Sequence, residues 1–152
     1  EDYTVSGLSW LDREWSTSAL AADQVGWDWF ALQLSDGTDL MLYNIRNADG
    51  TADPNSSGTL TFSDGRSRVL RQGDFEIIVH DTWTSRAGGI YPSRWSVRIP
   101  EHKLKLEIAP VIADQELFTT VRYWEGAVDI TGDNAGNAVT GRGYVELTGY
   151  AD

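Results

Sequence analysis

The sequence predicts an all-β domain of about nine or ten short antiparallel strands, closed as a barrel or a sandwich. Three observations predict it. Apolar residues alternate with polar ones along most of the chain, which is the pattern of half-buried strands. Turn signals recur between the alternating stretches, and helical periodicity is nearly absent. Ser16–Gln24 (STSALAADQ) is the one Ala-rich stretch able to form a turn or two of helix.

The elements follow in chain order. Strands are expected near Tyr3–Trp10, Trp27–Leu34, Thr38–Arg46, Gly58–Phe62, Arg66–Leu70, Phe75–His80, Trp95–Ile99, Leu104–Ala109, Ala127–Thr131 and Val139–Thr148. Leu104, Leu106 and Ile108 point one way while Lys103, Lys105 and Glu107 point the other. Trp95, Val97 and Ile99 do the same, and Pro100 ends that strand. Asp36-Gly37 and Asp64-Gly65 join neighbouring strands as tight hairpins, because Asp-Gly supplies the positive φ that primed turns require. Gly132–Gly136 (GDNAG) makes a third hairpin, and polar Asn47–Ser57 (NADGTADPNSS) reads as a long hairpin tip. Thr38–Arg46 is apolar on both faces: Leu40 and Leu42 face one side, Met41, Tyr43 and Ile45 the other. Such a strand needs a cover on each face. One cover is the interior; the other is a helix, a partner domain or a second copy.

The 152 residues fit one domain, 1–152, long enough to bury a sizeable core. Seven Trp, six Tyr and four Phe against one Met mark an aromatic interior or ligand groove. A net charge of −11 repels phosphates, so nucleic acid and anionic membrane surfaces are poor partners. There is no Cys, which removes disulfides and thiolate chemistry together. No apolar run reaches the ~20 residues of a spanning helix.

Candidate chemistry gathers at four places. Asp28 shares the inward face of its strand with Phe30, Leu32 and Leu34. A carboxylate there is paired with a cation such as Arg142 or Arg46, or has its pKa raised by desolvation. In Trp10–Trp15, extended backbone puts Trp10, Asp12 and Glu14 on one face and Leu11, Arg13 and Trp15 on the other. Two carboxylates beside an indole can form a general acid, or can end a strand as partners of Arg13. The third place is Tyr123-Trp124-Glu125-Gly126. In the fourth, Val145 and Leu147 face the core, so Tyr144, Glu146, Thr148 and Tyr150 line the opposite surface as an interface, a ligand rim or plain sheet. No G-x-S-x-G elbow is present, and His80 and His102 stand in separate segments, too few for a zinc site. No cofactor is called for.

At these clusters the chain resembles a known family. Ser6–Ser16 (SGLSWLDREWS), Gly26–Phe30 (GWDWF), Tyr91–Trp95 (YPSRW), Tyr123–Gly126 (YWEG) and Gly141–Tyr150 (GRGYVELTGY) are similar, in order, to the AttH-like family. That family includes the carotenoid hydratase CrtC (hydroxyneurosporene synthase), and its members often carry the label "predicted secreted hydrolase". The resemblance implies a lipocalin-like, calycin-type barrel, and makes this chain the C-terminal one of two such domains. An N-terminal lipocalin-like domain would then account for the start at Glu1 and for the doubly apolar strand. It further implies an extracytoplasmic setting, in the periplasm or cell envelope.

Family members act on or bind long apolar molecules: hydratases add water to a carotenoid's terminal alkene, and fungal relatives cyclise polyenes. The expected function is therefore binding of a polyene, isoprenoid or lipid-like molecule, and any activity would be that of an alkene hydratase (a hydro-lyase), not a hydrolase. Protonating an alkene needs a carboxylic acid kept neutral near pH 7, and aromatic faces favour the resulting cation. Asp12, Glu14 and Asp28 are the candidate acids. Trp10, Trp15, Trp29, Tyr123 and Trp124 are the candidate walls. Trp27, Tyr91, Trp95, Glu125, Tyr144, Glu146 and Tyr150 complete the ligand-contact set. The alternatives are a secreted carbohydrate-binding domain with solvent-facing aromatics, or an interaction domain that docks a partner on Tyr144–Tyr150.

Overall fold

The computed structural model describes residues 2–12 and 20–151. The described residues form ten strands: β1 (Gln24–Leu34), β2 (Asp39–Asn47), β3 (Ser57–Thr61), β4 (Ser67–Arg71), β5 (Glu76–Thr84), β6 (Ile90–Ile99), β7 (Leu104–Pro110), β8 (Glu116–Phe118), β9 (Arg122–Asn134) and β10 (Asn137–Thr148). Among the described residues the one helical element is the 3₁₀ turn Pro100–His102. All pairings are antiparallel, in the order β4-β3-β2-β1-β10-β9-β7-β6-β5, with β8 beside β9. The sheet curls into a half-barrel. Its edge strands, β4 and β5, are joined by the short connection 72–75, within which Gln72 and Phe75 form an isolated bridge.

Alternation builds this sheet. In β7 Leu104, Leu106 and Ile108 are buried while Lys105, Glu107 and Ala109 are exposed. The two Asp-Gly hairpins form, but not through primed turns: Asp36 and Asp64 keep negative φ, and only Gly37 at φ +81° and Gly65 at φ +83° are left-handed, the geometry of a type I turn closed by a glycine. The inward set from all strands makes one core, and its largest members are Trp95, Trp124, Tyr91 and Phe30. Phe30 meets Trp95 edge-to-face at 5.8 Å and 89°, an arrangement worth ~0.5–1.5 kcal/mol beyond its buried area. These rings fill the middle of the half-barrel.

Several expectations change. Tyr3–Trp10 is not a strand: residues 2–12 join no ladder, and Tyr3, Val5 and Leu8 are exposed. β1 and β10, the strands at the centre of the sheet, already have neighbours on both sides, so no ladder edge is vacant there. Of Ser16–Gln24, the stretch able to form a turn or two of helix, Ser16–Ala19 lie outside the described residues, and the rest turns at Ala22–Asp23 into β1. β5 runs four residues beyond His80, because register shifts between Val79, Asp81 and Thr82 break the alternation without ending the pairing.

Candidate functional site

β1 separates two clusters. Its even-numbered residues from Asp28 to Leu34 face the core, while Trp27 and Trp29 face outward.

On the inner face Asp28 is buried, as its register requires, and its partner is Arg46, with Nε 3.2 Å from Oδ1. Arg142, the other cation considered, lies on the outer face and pairs at 3.7 Å with Asp129. Tyr150 donates its hydroxyl to Asp28 Oδ1 at 2.8 Å, and Asn44 Nδ2 reaches Oδ2 at a long 3.4 Å. Burial pushes the Asp28 carboxyl above its ordinary range, and Arg46 with the two hydrogen bonds draws it back only in part. Arg46 is held in turn by the Tyr150 ring, 3.8 Å below its guanidinium, and donates to the Thr148 carbonyl. Its Nε–H is close to Asp28 without being aimed at it, so a buried donor is left with no aligned acceptor. The absence of a side chain at Gly26 makes room for this arrangement, since a Cβ there would lie 2.5 Å from the guanidinium. A cavity of about 330 Å³ opens over Asp28, Asn44, Arg46 and Tyr150, with Phe75 and Ile77 on its far side.

On the outer face the register aligns side chains across strands. Tyr43, Trp29, Glu146 and Glu125 lie in one row across β2, β1, β10 and β9. Ile45 and Trp27 begin the next row, and Thr148, Tyr123 and Leu117 continue it. Glu146 therefore sits opposite another carboxylate, and Trp27 Nε1 donates to its Oε1 at 2.6 Å. Burial raises the Glu146 pKa most. The indole hydrogen bond opposes this, while Glu125 and then Asp12 raise it further, and the group ends near pH 7, at about 7. Burial and the same two glutamates raise Tyr144 as well.

Trp10 meets Trp29 edge-on at 6.2 Å and donates to Asp12 Oδ1 at 3.0 Å, so these three residues join the outer cluster. Trp27 meets Tyr123 edge-on at 6.4 Å. The structure thus brings together Trp10, Asp12, Trp27, Trp29, Tyr123, Glu125, Tyr144 and Glu146. Asp28 and Tyr150 lie on the opposite side of the sheet. Trp95 and Trp124 are core residues, and so is Tyr91, whose hydroxyl donates to Glu116 at 2.8 Å. Glu14 and Trp15 lie outside the described residues.

One cluster has no counterpart in the sequence reading. Ser96 Oγ lies 2.5 Å from His80 Nε2 and donates to Glu107 Oε1 at 2.7 Å. The register shift at His80 that carries it to Ser96 breaks the alternation, which in sequence reads as the end of the strand. Among the described residues no group of three or more His, Cys, Asp and Glu could hold a metal ion, and no helix is long and apolar enough to cross a membrane.

Residues 1–150 match the family described as AttH-like. A crystal structure provisionally assigned as AttH, from Nitrosomonas europaea, superposes with a TM-score of 0.79 at 34% identity, over 91% of this chain and 42% of that one. Kievitone hydratase from Nectria haematococca superposes with a TM-score of 0.72 at 23% identity, over 90% of this chain and 42% of that one. The chain therefore spans less than half the length of either. No curated protein matches.

Proposed function

Because this chain belongs to the AttH-like family, we propose that its outer β1–β10–β9 face is one wall of a groove for an apolar, alkene-bearing molecule, and that Glu146 is the acid that protonates the double bond. The observation that carries this reading is a carboxyl held near pH 7 between a second carboxylate and an indole, on a face lined with aromatic rings. The kievitone hydratase likeness supports the fold alone.

The Glu146 O–H bond breaks as the alkene π electrons form a new C–H bond, leaving a carbocation on the substrate and a carboxylate on the enzyme. Trp27, Trp29, Tyr123 and Tyr144 offer ring faces that attract the cation. Water adds to it and gives up a proton to the glutamate pair, which restores the starting state, so the sum is alkene plus water to alcohol. A general acid of pKa near 7 is matched to such work. Asp12 supports the proton on Glu146 through its charge. Glu14 and Trp15 are proposed for the same groove by their place in the sequence. Asp28 faces the inner cavity and takes no part.

The opposite wall is assigned to an N-terminal lipocalin-like domain of the same protein. Met41, Tyr43 and Ile45 are only half-buried on this face, and the relatives are more than twice as long as the chain. An extracytoplasmic site of action, in the periplasm or cell envelope, belongs to this reading. The carbohydrate alternative is less well supported: a sugar platform needs coplanar rings, whereas the outer pairs meet at 76° and 66°.

The test is hydration by the intact protein of acyclic isoprenoid alkenes in ¹⁸O-water, read as label in the alcohol product. Glu146→Gln should fold normally and lose at least about 100-fold in turnover, the usual contribution of a general acid. Retention of activity within twofold would remove Glu146 from the mechanism.

A further inference from the structure

The inner cavity is separate from the outer acid pair, being reached from the other side of β1. Its floor is ionic yet electrically balanced: Asp28 and Arg46 offset each other, with Tyr150 and Asn44 completing the polar set. Its apolar lining comes from Ile77 and Val79 of the edge strand β5 and from Phe75 just before it, beside Thr51 and Gln72. The volume of about 330 Å³ lies at the lower end of small-molecule sites. The middle of the half-barrel is filled by Trp95 and Trp124, so a ligand here cannot extend deep into the core.

One group in this floor lacks a good partner among the described residues. Asp28 Oδ2 has Asn44, at 3.4 Å, and can accept a stronger bond, since a weakly partnered buried oxygen is costly. The Arg46 Nε–H is enclosed beside Asp28, out of a ligand's reach. A carboxylate ligand would place a second anion beside Asp28, and an ammonium a second cation beside Arg46. A hydroxyl does neither.

We propose that this cavity binds a compact, uncharged molecule with an apolar body and one hydroxyl group. The hydroxyl donates to Asp28 Oδ2, and the apolar body lies against Phe75 and Ile77. The site does not depend on catalysis at Glu146.

The test uses the intact, ¹⁵N-labelled protein and three probes of one shape: 4-propylphenol, 4-propylanisole, which has no donor, and 4-propylbenzoate, which is charged. The phenol should bind saturably and at least about tenfold more tightly than either of the others, the factor expected of one hydrogen bond to a charged group. It should shift the amides of Asn44 and Ile77 but not the indole N–H signals of Trp27 and Trp29, and should do so equally in Glu146→Gln. Ile77→Trp, checked for folding by its thermal melt, should abolish the shifts by filling the cavity. Anisole binding as tight as phenol, preference for the benzoate, shifts confined to Trp27 and Trp29, or no saturation at the solubility limit would each overturn the proposal.

Discussion

Glu125 and Glu146 face each other directly across β9 and β10, and the indole of Trp27 donates to the second of them. Like charges in this position repel, and the fold accommodates them by keeping a proton on the pair. The folded chain therefore holds that proton more tightly than the unfolded chain, where the carboxyl has its ordinary value near 4.5. Stability from this group is fully present below about pH 4.5 and is lost as pH rises through about 7. Allowing for solvent screening, the loss is about 1–2 kcal/mol. Glu146→Gln should flatten this slope, and urea melts of both proteins at pH 5 and pH 8 measure it.

Asp28→Asn keeps the shape of the inner site and strands Arg46. Breaking a buried pair costs ~3–5 kcal/mol. Arg46 is partly exposed and keeps the Tyr150 ring and the Thr148 carbonyl, so a loss of about 2–3 kcal/mol is expected. Denaturant melts check it, and Asp28→Asn combined with Arg46→Met should recover part of the loss, because no cation is then left unpaired.

Gly149 sits at φ +71° between β10 and Tyr150, and a Cβ there would lie 1.9 Å from the Val25 carbonyl oxygen. Gly149→Ala combines a left-handed backbone with a clash against main chain, and should cost at least about 2 kcal/mol. The same change should weaken the Tyr150 bond to Asp28, visible as a change in tyrosine ultraviolet absorption.

Trp95 and Trp10 should separate core from surface. Trp95→Ala opens a cavity in the packed interior and should cost about 3–5 kcal/mol. Trp95→Phe should cost less than its volume suggests, because it also removes a buried N–H that has no partner among the described residues. Trp10→Ala loses only the edge contact with Trp29 and a surface hydrogen bond, and should cost about 0.5–1.5 kcal/mol. Chemical denaturation of the three variants gives the comparison.

The strands were legible because alternation is a local property: Leu104 to Ile108 and Phe30 to Leu34 announce their inward face without reference to any other segment. The inward register of Asp28 followed from the same signal. Its choice of Arg46 over Arg142 did not, since that depends on which face each neighbouring strand presents. The outer site shows the same limit. Glu125 and Glu146 could each be placed among ligand-contact residues, but their opposition depends on the register of β9 on β10, fixed through a turn with Ala135 at φ +53° and Gly136 at φ +94°. Trp95, Trp124 and Tyr91 were drawn toward the ligand set because aromatic side chains suit a core and a groove equally well. β8 escaped notice because three residues carry too little pattern.

The two unpaired rims of the sheet set the order in which the molecule loosens. β1, β10 and β9 are laddered on both sides, whereas among the described residues β4 and β5 each lack a ladder partner on one side. Widening there breaks almost no main-chain hydrogen bonds, so amide protons should exchange fastest in β4 and β5 and slowest around Phe30 and Val145. The cavity borders β5, and so its dimensions follow the part of the molecule that opens most readily. A guest seated there would slow exchange in that rim and leave the centre of the sheet unchanged.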